Sequence, residues 1–193
     1  EQPIHELLAN RWSGRAYDAD RPVARADLVS VLEAARWAPS CFGDQPWRYL
    51  VFDRHADAAA WERALGCLVE GNRKWALAAP VLMAALADSR FHGKDDANRW
   101  GQYDTGAASM ALSVQATALG LMVHQMGGFD AAALASEFAV PERFTPMAMI
   151  TLGYQLAEPA LAEAAREREL AERARRPLDE QFFEGAWEQP LAR

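Results

Sequence analysis

Cysteine is almost missing from this chain: there are two, Cys41 and Cys67, with no C-x-x-C spacing. That excludes a disulfide scaffold and a structural zinc site. The four histidines (His5, His55, His92, His124) are scattered and form no H-E-x-x-H pair, so no metal is expected. G-x-G-x-x-G, G-x-x-x-x-G-K-[ST] and G-x-S-x-G are also lacking. A Rossmann dinucleotide domain, a P-loop and a hydrolase nucleophile elbow therefore have no signature here. No apolar run reaches bilayer length, and the longest, Trp75 to Ala87, is broken by Pro80. Basic residues are in deficit, 20 Lys and Arg against 27 Asp and Glu, a net charge of -7. Such a chain repels nucleic acid and anionic membranes unless its cations gather on one face, so neither is an expected partner. The first residues, Glu1-Gln2-Pro3-Ile4, show neither the basic nor the apolar region of an export signal, and a cytoplasmic location is expected.

What is present is enough for one compact domain spanning residues 1–193, with 51% hydrophobic residues and 24% charged. Two arginine clusters stand out in this acidic background: Arg11-Trp12-Ser13-Gly14-Arg15 near one end and Arg173-Ala174-Arg175-Arg176-Pro177 near the other. Guanidinium groups present planar forks that match phosphate oxygens two at a time, so one small anion is their natural target. In an extended segment Arg11, Ser13 and Arg15 share a face, which suits a phosphate or a polyol. A solvated edge strand is the plainer alternative.

Between the clusters, residues 4–10 read as a short helix. Asp27 reads as the N-cap of a helix through Leu28, Val31, Leu32 and Ala35 that Pro39 stops. Arg48 to Phe52 is a strand bounded by Pro46 and Asp53, and residues 56–69 are helical. Pro80 to Leu86 is a continuous apolar run suited to a central strand covered on both faces. Residues 90–102 read as polar and irregular. A long helix rich in small residues runs from Asp104 to Gly120, fit to cross another helix closely. Leu121–Met126 is a strand, Gly127-Gly128 a turn, 130–139 a short helix, and Met147–Gly153 the last strand. Residues 157–173 are charged and helical. The tail 177–193 carries Leu178, Phe182, Phe183 and Trp187 with few neighbours, and so calls for a partner surface, most economically a second copy of the chain.

Three segments join the arginines as candidate chemistry. Ala38 to Arg48 holds Pro39, Gly43 and Pro46 in a rigid loop, where Gln45 can read an amide edge and Cys41 is a small filler. Gly71-Asn72-Arg73-Lys74-Trp75 places an amide and an ammonium before the apolar strand, where loop capping is the alternative role. Gly127 and Gly128 free backbone amides for close approach to a planar ligand, or form a plain turn.

Taken in order, R-x-S-x-R, A-P-S-x-x-x-x-Q-P-W, G-N-x-K, D-x-G-x-A, G-G-F-D and R-x-R-R-P-L resemble the FMN-dependent nitroreductase family over residues 4–187. The resemblance implies an α+β, three-layer fold with a central, mainly antiparallel sheet flanked by helices. It also implies a homodimer with FMN at the interface and a C-terminal arm, 177–193, embracing the partner. Arg11, Ser13 and Arg15 would hold the phosphate, the ribityl chain and the pyrimidine side of the ring. Arg173, Arg175 and Arg176 would complete the phosphate clamp, and Asn72 and Lys74 would lie at the pyrimidine edge. Pro39, Ser40, Cys41 and Gln45 would come from the other subunit, and the backbone of Gly127 and Gly128 would face flavin N5. No side chain is implied as catalytic. NADH or NADPH would deliver a hydride in ping-pong fashion, passed on to a nitroaromatic, a quinone or a related electron-poor acceptor. A flavin-dependent oxidase or dehalogenase on the same fold, a flavin-storage protein and a structural dimer with surface arginines are the alternatives. The chain departs from the family pattern at Phe42-Gly43, where S-S-x-N is usual and where Phe42 would narrow the cleft. It departs again at Met126-Gly127-Gly128, which lacks an acidic side chain, and in its short substrate lid, reduced to residues 88–102.

Overall fold

Seven consecutive apolar or small residues end in an aspartate in the interior of the sheet: strand β2, Val81–Asp88, is buried along its whole length. It can be so only because it is paired on both edges and covered on both faces. The computed structural model describes residues 2–94 and 96–191, and among these the chain forms two compact units, Glu1–Leu161 and Ala162–Arg193. Residue 1 of the expected domain, residue 95 of the shortened lid and residues 192–193 of the expected arm lie outside the described residues.

In the first unit β1 (Trp47–Asp53), β2, β3 (Met122–Met126) and β4 (Phe144–Gly153) make an antiparallel sheet in the order β1-β2-β4-β3. The register between β2 and β4 slips between Ala85, opposite Ala148, and Leu86, opposite Pro146, so Met147 is the extra residue of a bulge. Pro146 has no N–H to give to the ladder, which is where a bulge is tolerated.

Alternation along β2 sorts its side chains onto two cores. Val81, Met83 and Ala85 pack with Leu28, Val31 and Ala35 of α2 (Arg25–Arg36) and with Ala108, Leu112 and Ala116 of α5 (Gly101–Ala118). Leu82 and Ala84 pack with Trp61 and Ala64 of α3 (Ala58–Gly66), Ala76 of α4 (Glu70–Ala76) and Leu134 of α6 (Ala131–Glu137). The result is a three-layer α+β arrangement with the sheet in the middle. The small residues of α5 let it lie closely against α2, with Gln115 Nε2 donating to Ser30 Oγ at 3.0 Å. Thr105, Ser113 and Thr117 return their hydroxyls to carbonyls four residues back, so these side chains are satisfied inside the layer.

Several element limits differ from the sequence reading. The first helix, α1, is Glu6–Asn10. Helix α2 starts at Arg25 with Ala24 at its cap, so Asp27 lies in the first turn rather than capping. Helix α5 starts at Gly101, and Asp104 is buried within its first turn. The G-N-R-K-W segment is helical, not a loop. No helix of the described residues is long and apolar enough to cross a membrane.

The second unit contains α7 (Glu163–Glu169), a 3-10 turn at Leu178–Glu180, and a Phe183–Pro190 bridge beneath which Phe183 meets Trp187 edge-on at 4.9 Å. Helix stops at 169 because the charged run offers no continuous apolar stripe to bury.

Candidate functional site

The Arg11–Arg15 segment leaves α1 with Arg11 in extended conformation, and the residues that follow it, 16–18, are laid along the chain after β4. Tyr17 bridges Gln155, Asp18 N donates to the Tyr154 carbonyl at 2.9 Å, and Leu156 N donates to the Ala16 carbonyl at 2.9 Å. Within the segment, Arg11 Nη1 donates to Ser13 Oγ at 3.3 Å, which sets a guanidinium and a hydroxyl side by side. Gly14 is buried, and its carbonyl oxygen lies 3.0 Å from His124 Nδ1 on β3. A carbonyl only accepts, so that ring nitrogen carries its proton.

Arg15 rests with its guanidinium 5.5 Å from the ring centre of Trp75, a cation–π distance. The same indole meets the His124 imidazole at 4.6 Å and stacks on Tyr17 at 6.5 Å. Tyr17 Oη reaches Thr151 Oγ1 at 2.7 Å, which anchors the stack to β4. Trp75 Nε1 is buried with no partner among the described residues, so the indole serves through its faces.

Trp75 lies on α4, and α4 extends the group to the glycines. One turn earlier, Asn72 Nδ2 donates to the Gly128 carbonyl at 3.0 Å, and Val69 N donates to the same oxygen at 3.2 Å. A Cβ on Gly128 would stand 2.5 Å from Asn72 Nδ2 and 3.0 Å from Val69 Cγ2, so glycine is required for this close approach. A Cβ on Gly127 would meet nothing within 4 Å, because its surroundings are open. Arg15, Trp75, Asn72, Gly128 and Gly127 are therefore joined through a single short helix. Lys74 is on that helix too, but it is exposed and paired with Glu70 at 2.7 Å, four residues back. An exposed pair of this kind is weak and easily exchanged.

The Pro39–Gln45 loop has its own anchoring. Cys41 N donates to the carboxylate of buried Asp104 at 3.0 Å, and Gln45 N donates to Ser40 Oγ at 3.0 Å. Asp44 accepts from His92 N at 2.7 Å and from Asn98 Nδ2 at 3.0 Å, tying the loop to the short segment before α5. Phe42, Gly43 and Gln45 all have positive φ (55°, 67° and 52°). Two non-glycine residues in the left-handed region mark a loop whose shape is imposed by its bonds. Phe42 is 94% exposed, meets Phe91 edge-on at 6.0 Å, and borders a cleft of about 450 Å³ with Gln45, Trp47, Arg48 and His92. In the second unit Arg173, Arg175 and Arg176 are exposed, and Arg175 Nη1 donates to the Ala174 carbonyl at 2.8 Å.

Three contacts escape sequence reasoning. Asp104 reads as a helix start, whereas its carboxylate holds a loop 63 residues away. His124 bonds Gly14 across 110 residues, a distance at which a lone histidine gives no local signal. Trp75 reads only as the residue after the charged pair. One signal was available: on a helix, Asn72 and Trp75 at i and i+3 share a face.

The Nitroreductase family profile matches residues 8–154. An uncharacterised 15.4 kDa protein of Mycolicibacterium smegmatis is 38% identical over 140 residues, covering 70% of this chain and 91% of its own. A Streptomyces coelicolor protein provisionally named NADH dehydrogenase/NAD(P)H nitroreductase is 29% identical over 167 residues, covering 77% of this chain and 81% of its own. Among solved structures, one described as an oxidoreductase containing FMN superposes with a TM-score of 0.87 at 33% identity, covering 97% of this chain and 94% of that one.

Proposed function

The chain belongs to the nitroreductase family, and on that premise we propose that it is an FMN-dependent NAD(P)H oxidoreductase acting on a small electron-poor acceptor, such as a nitroaromatic or a quinone. The observation that carries this reading is the run of contacts from Arg11 and Ser13, through Arg15 and Trp75, to Asn72 and the open space beside Gly127. The donor set fits the cofactor. Forked cations and a hydroxyl suit a phosphate and a polyol chain, an amide suits a heterocycle edge, and a bare glycine backbone leaves room for a flat ring.

Bound FMN would supply the hydride relay between nicotinamide and acceptor. The protein's own part is binding, orientation and charge. Arg11, Ser13 and Arg15 neutralise the phosphate, engage the ribityl chain and place positive charge at the pyrimidine side. Asn72, already aimed by its bond to Gly128, and Lys74, once released from Glu70, face the same edge. Gly127 brings main chain rather than a side chain against the ring.

Pro39, Ser40, Cys41 and Gln45 act from a second copy of the chain. Support for that copy is the face of α5 bearing Tyr103 (76% exposed), Gly106 and Met110 (40% exposed), an apolar face open in the single chain. Sedimentation at twice the 21.3 kDa chain mass is the expected result. A cytoplasmic location, where nicotinamides are supplied, belongs to the same reading. The decisive experiment is FMN titration followed by anaerobic initial rates with varied NADH or NADPH and menadione. Parallel double-reciprocal lines are expected. Failure to bind FMN, or intersecting lines, refutes the proposal.

A further inference from the structure

Gly14 sits between the two residues that flank it in the cofactor-binding segment, Ser13 and Arg15. Its carbonyl is buried, and in a buried position an unpaired carbonyl is unfavourable. The partner supplied is His124 Nδ1 at 3.0 Å, from the middle of β3. The strand itself is fixed by its pairing with β4, His124 opposite Thr151, and Thr151 Oγ1 donates back to the His124 carbonyl at 3.3 Å. The imidazole also supports one side of the indole on which Arg15 rests. One ring thus controls both the main chain before Arg15 and the surface beneath its guanidinium.

We infer that His124 is a positioning residue of the cofactor site: by holding the Gly14 carbonyl and backing Trp75, it presets the Arg15 guanidinium against the pyrimidine side of the flavin. This rests on the FMN reading above. The rest of the segment has fasteners of its own, the Tyr17–Gln155 bridge and the Trp12 Nε1 to Gln155 Oε1 contact at 3.4 Å. Loss of the histidine therefore loosens residues 13–15 without detaching the segment. A guanidinium held at the pyrimidine side favours the negatively charged reduced cofactor, so its alignment is readable as a reduction potential as well as an affinity.

The test compares wild type, His124→Phe, which keeps a ring against Trp75 but removes the N–H donor, His124→Leu, which removes both, and His124→Asn, which restores a short donor. Three quantities are measured: the melting temperature of the apoprotein, the Kd for FMN from flavin fluorescence, and the midpoint potential of bound FMN. Expected are an FMN Kd raised about tenfold in His124→Phe, a scale set by one lost buried hydrogen bond, and a more negative midpoint potential. His124→Leu should show both effects at least as strongly. His124→Asn should return both quantities most of the way to wild type. If either donor-lacking variant folds and keeps the wild-type Kd and potential, the inference is overturned while the FMN reading stands. The inference also falls if affinity is lost without a change in potential or without rescue by asparagine, because the histidine is then merely structural. Should wild type itself bind no FMN, the functional reading fails and takes the inference with it.

Discussion

Adjacent glycines at 127 and 128 should respond oppositely to the same methyl group. In Gly128→Ala the new Cβ lies 2.5 Å from Asn72 Nδ2 and 3.0 Å from Val69 Cγ2, inside contact distance for both. Asn72 must swing away and give up its 3.0 Å bond to the Gly128 carbonyl. The lost bond is worth about 1 kcal/mol, and the crowding adds little beyond it, because both crowded atoms end movable side chains and Val69 is half exposed. At about 2–4 °C per kcal/mol for a chain of this size, the apoprotein should melt about 2–4 °C lower. In Gly127→Ala the methyl enters open space, so the apoprotein should melt within about 2 °C of wild type, or slightly above it through the stiffer unfolded chain. That same space is the proposed seat of the flavin ring, so FMN affinity should fall at least about tenfold, a loss of about 1.4 kcal/mol. Differential scanning fluorimetry of the apoproteins and flavin fluorescence titration give both numbers. The reasoning is refuted if Gly127→Ala binds FMN as tightly as wild type, or if Gly128→Ala melts at the wild-type temperature.

Arg11→Ala should raise the Kd for FMN by about one to two orders of magnitude, as expected for a charge-assisted contact, while moving the apoprotein melting temperature by only about 1–2 °C. Arg175→Ala in the same titration checks the assignment of the second arginine cluster, and full FMN retention by both variants would refute the clamp. Burial raises the Tyr49 hydroxyl to about 12 against its hydrogen bond with Ser109, so Tyr49 favours the folded state fully below pH 10. That contribution is lost as pH rises from 10 through 12, where the unfolded chain ionises ahead of the folded one, a loss of about 2 kcal/mol between those pH values. Tyr49→Phe should flatten this part of the curve in denaturant titrations across that range. Gly101→Ala would drive a Cβ into the carbonyl oxygen of Asp88, which is main chain and cannot turn aside. A stability loss of about 3 kcal/mol or more by urea titration is expected, and a wild-type midpoint would contradict the close contact of α5 with β2.

Elements whose burial is written in local composition were legible from sequence. The apolar run of β2 announces a strand covered on both faces, and Pro46 and Asp53 fit the two ends of β1. The spacing of Leu28, Val31 and Ala35 likewise marks the buried face of α2. Helix α4 was missed because only Ala76 of its seven residues is buried, leaving no stripe to read, while its Glu70–Lys74 pair supports a helix quietly. The charged run after residue 157 has high helical propensity yet is helical only over Glu163–Glu169, since propensity without a buried face does not sustain length. At the site, residue types at short spacing were readable: the Arg11–Ser13 pairing needs only the segment itself. The supports under it were not. His124 beneath Gly14 and Asp104 beneath Cys41 are set by sheet register and helix placement, which no local pattern encodes.

The position of β2 in the sheet has a consequence for biosynthesis. It leaves the ribosome with β1 to cover one edge, but its other edge awaits β4, which is translated only after residues 89–143. At roughly 5–20 residues per second that leaves about 3–11 s in which a bare, uncharged Val-Leu-Met-Ala-Ala-Leu-Ala edge is available to any neighbouring nascent chain. Slowed translation of that interval, or loss of a holding chaperone, should appear first as insoluble protein rather than as reduced activity of the soluble fraction.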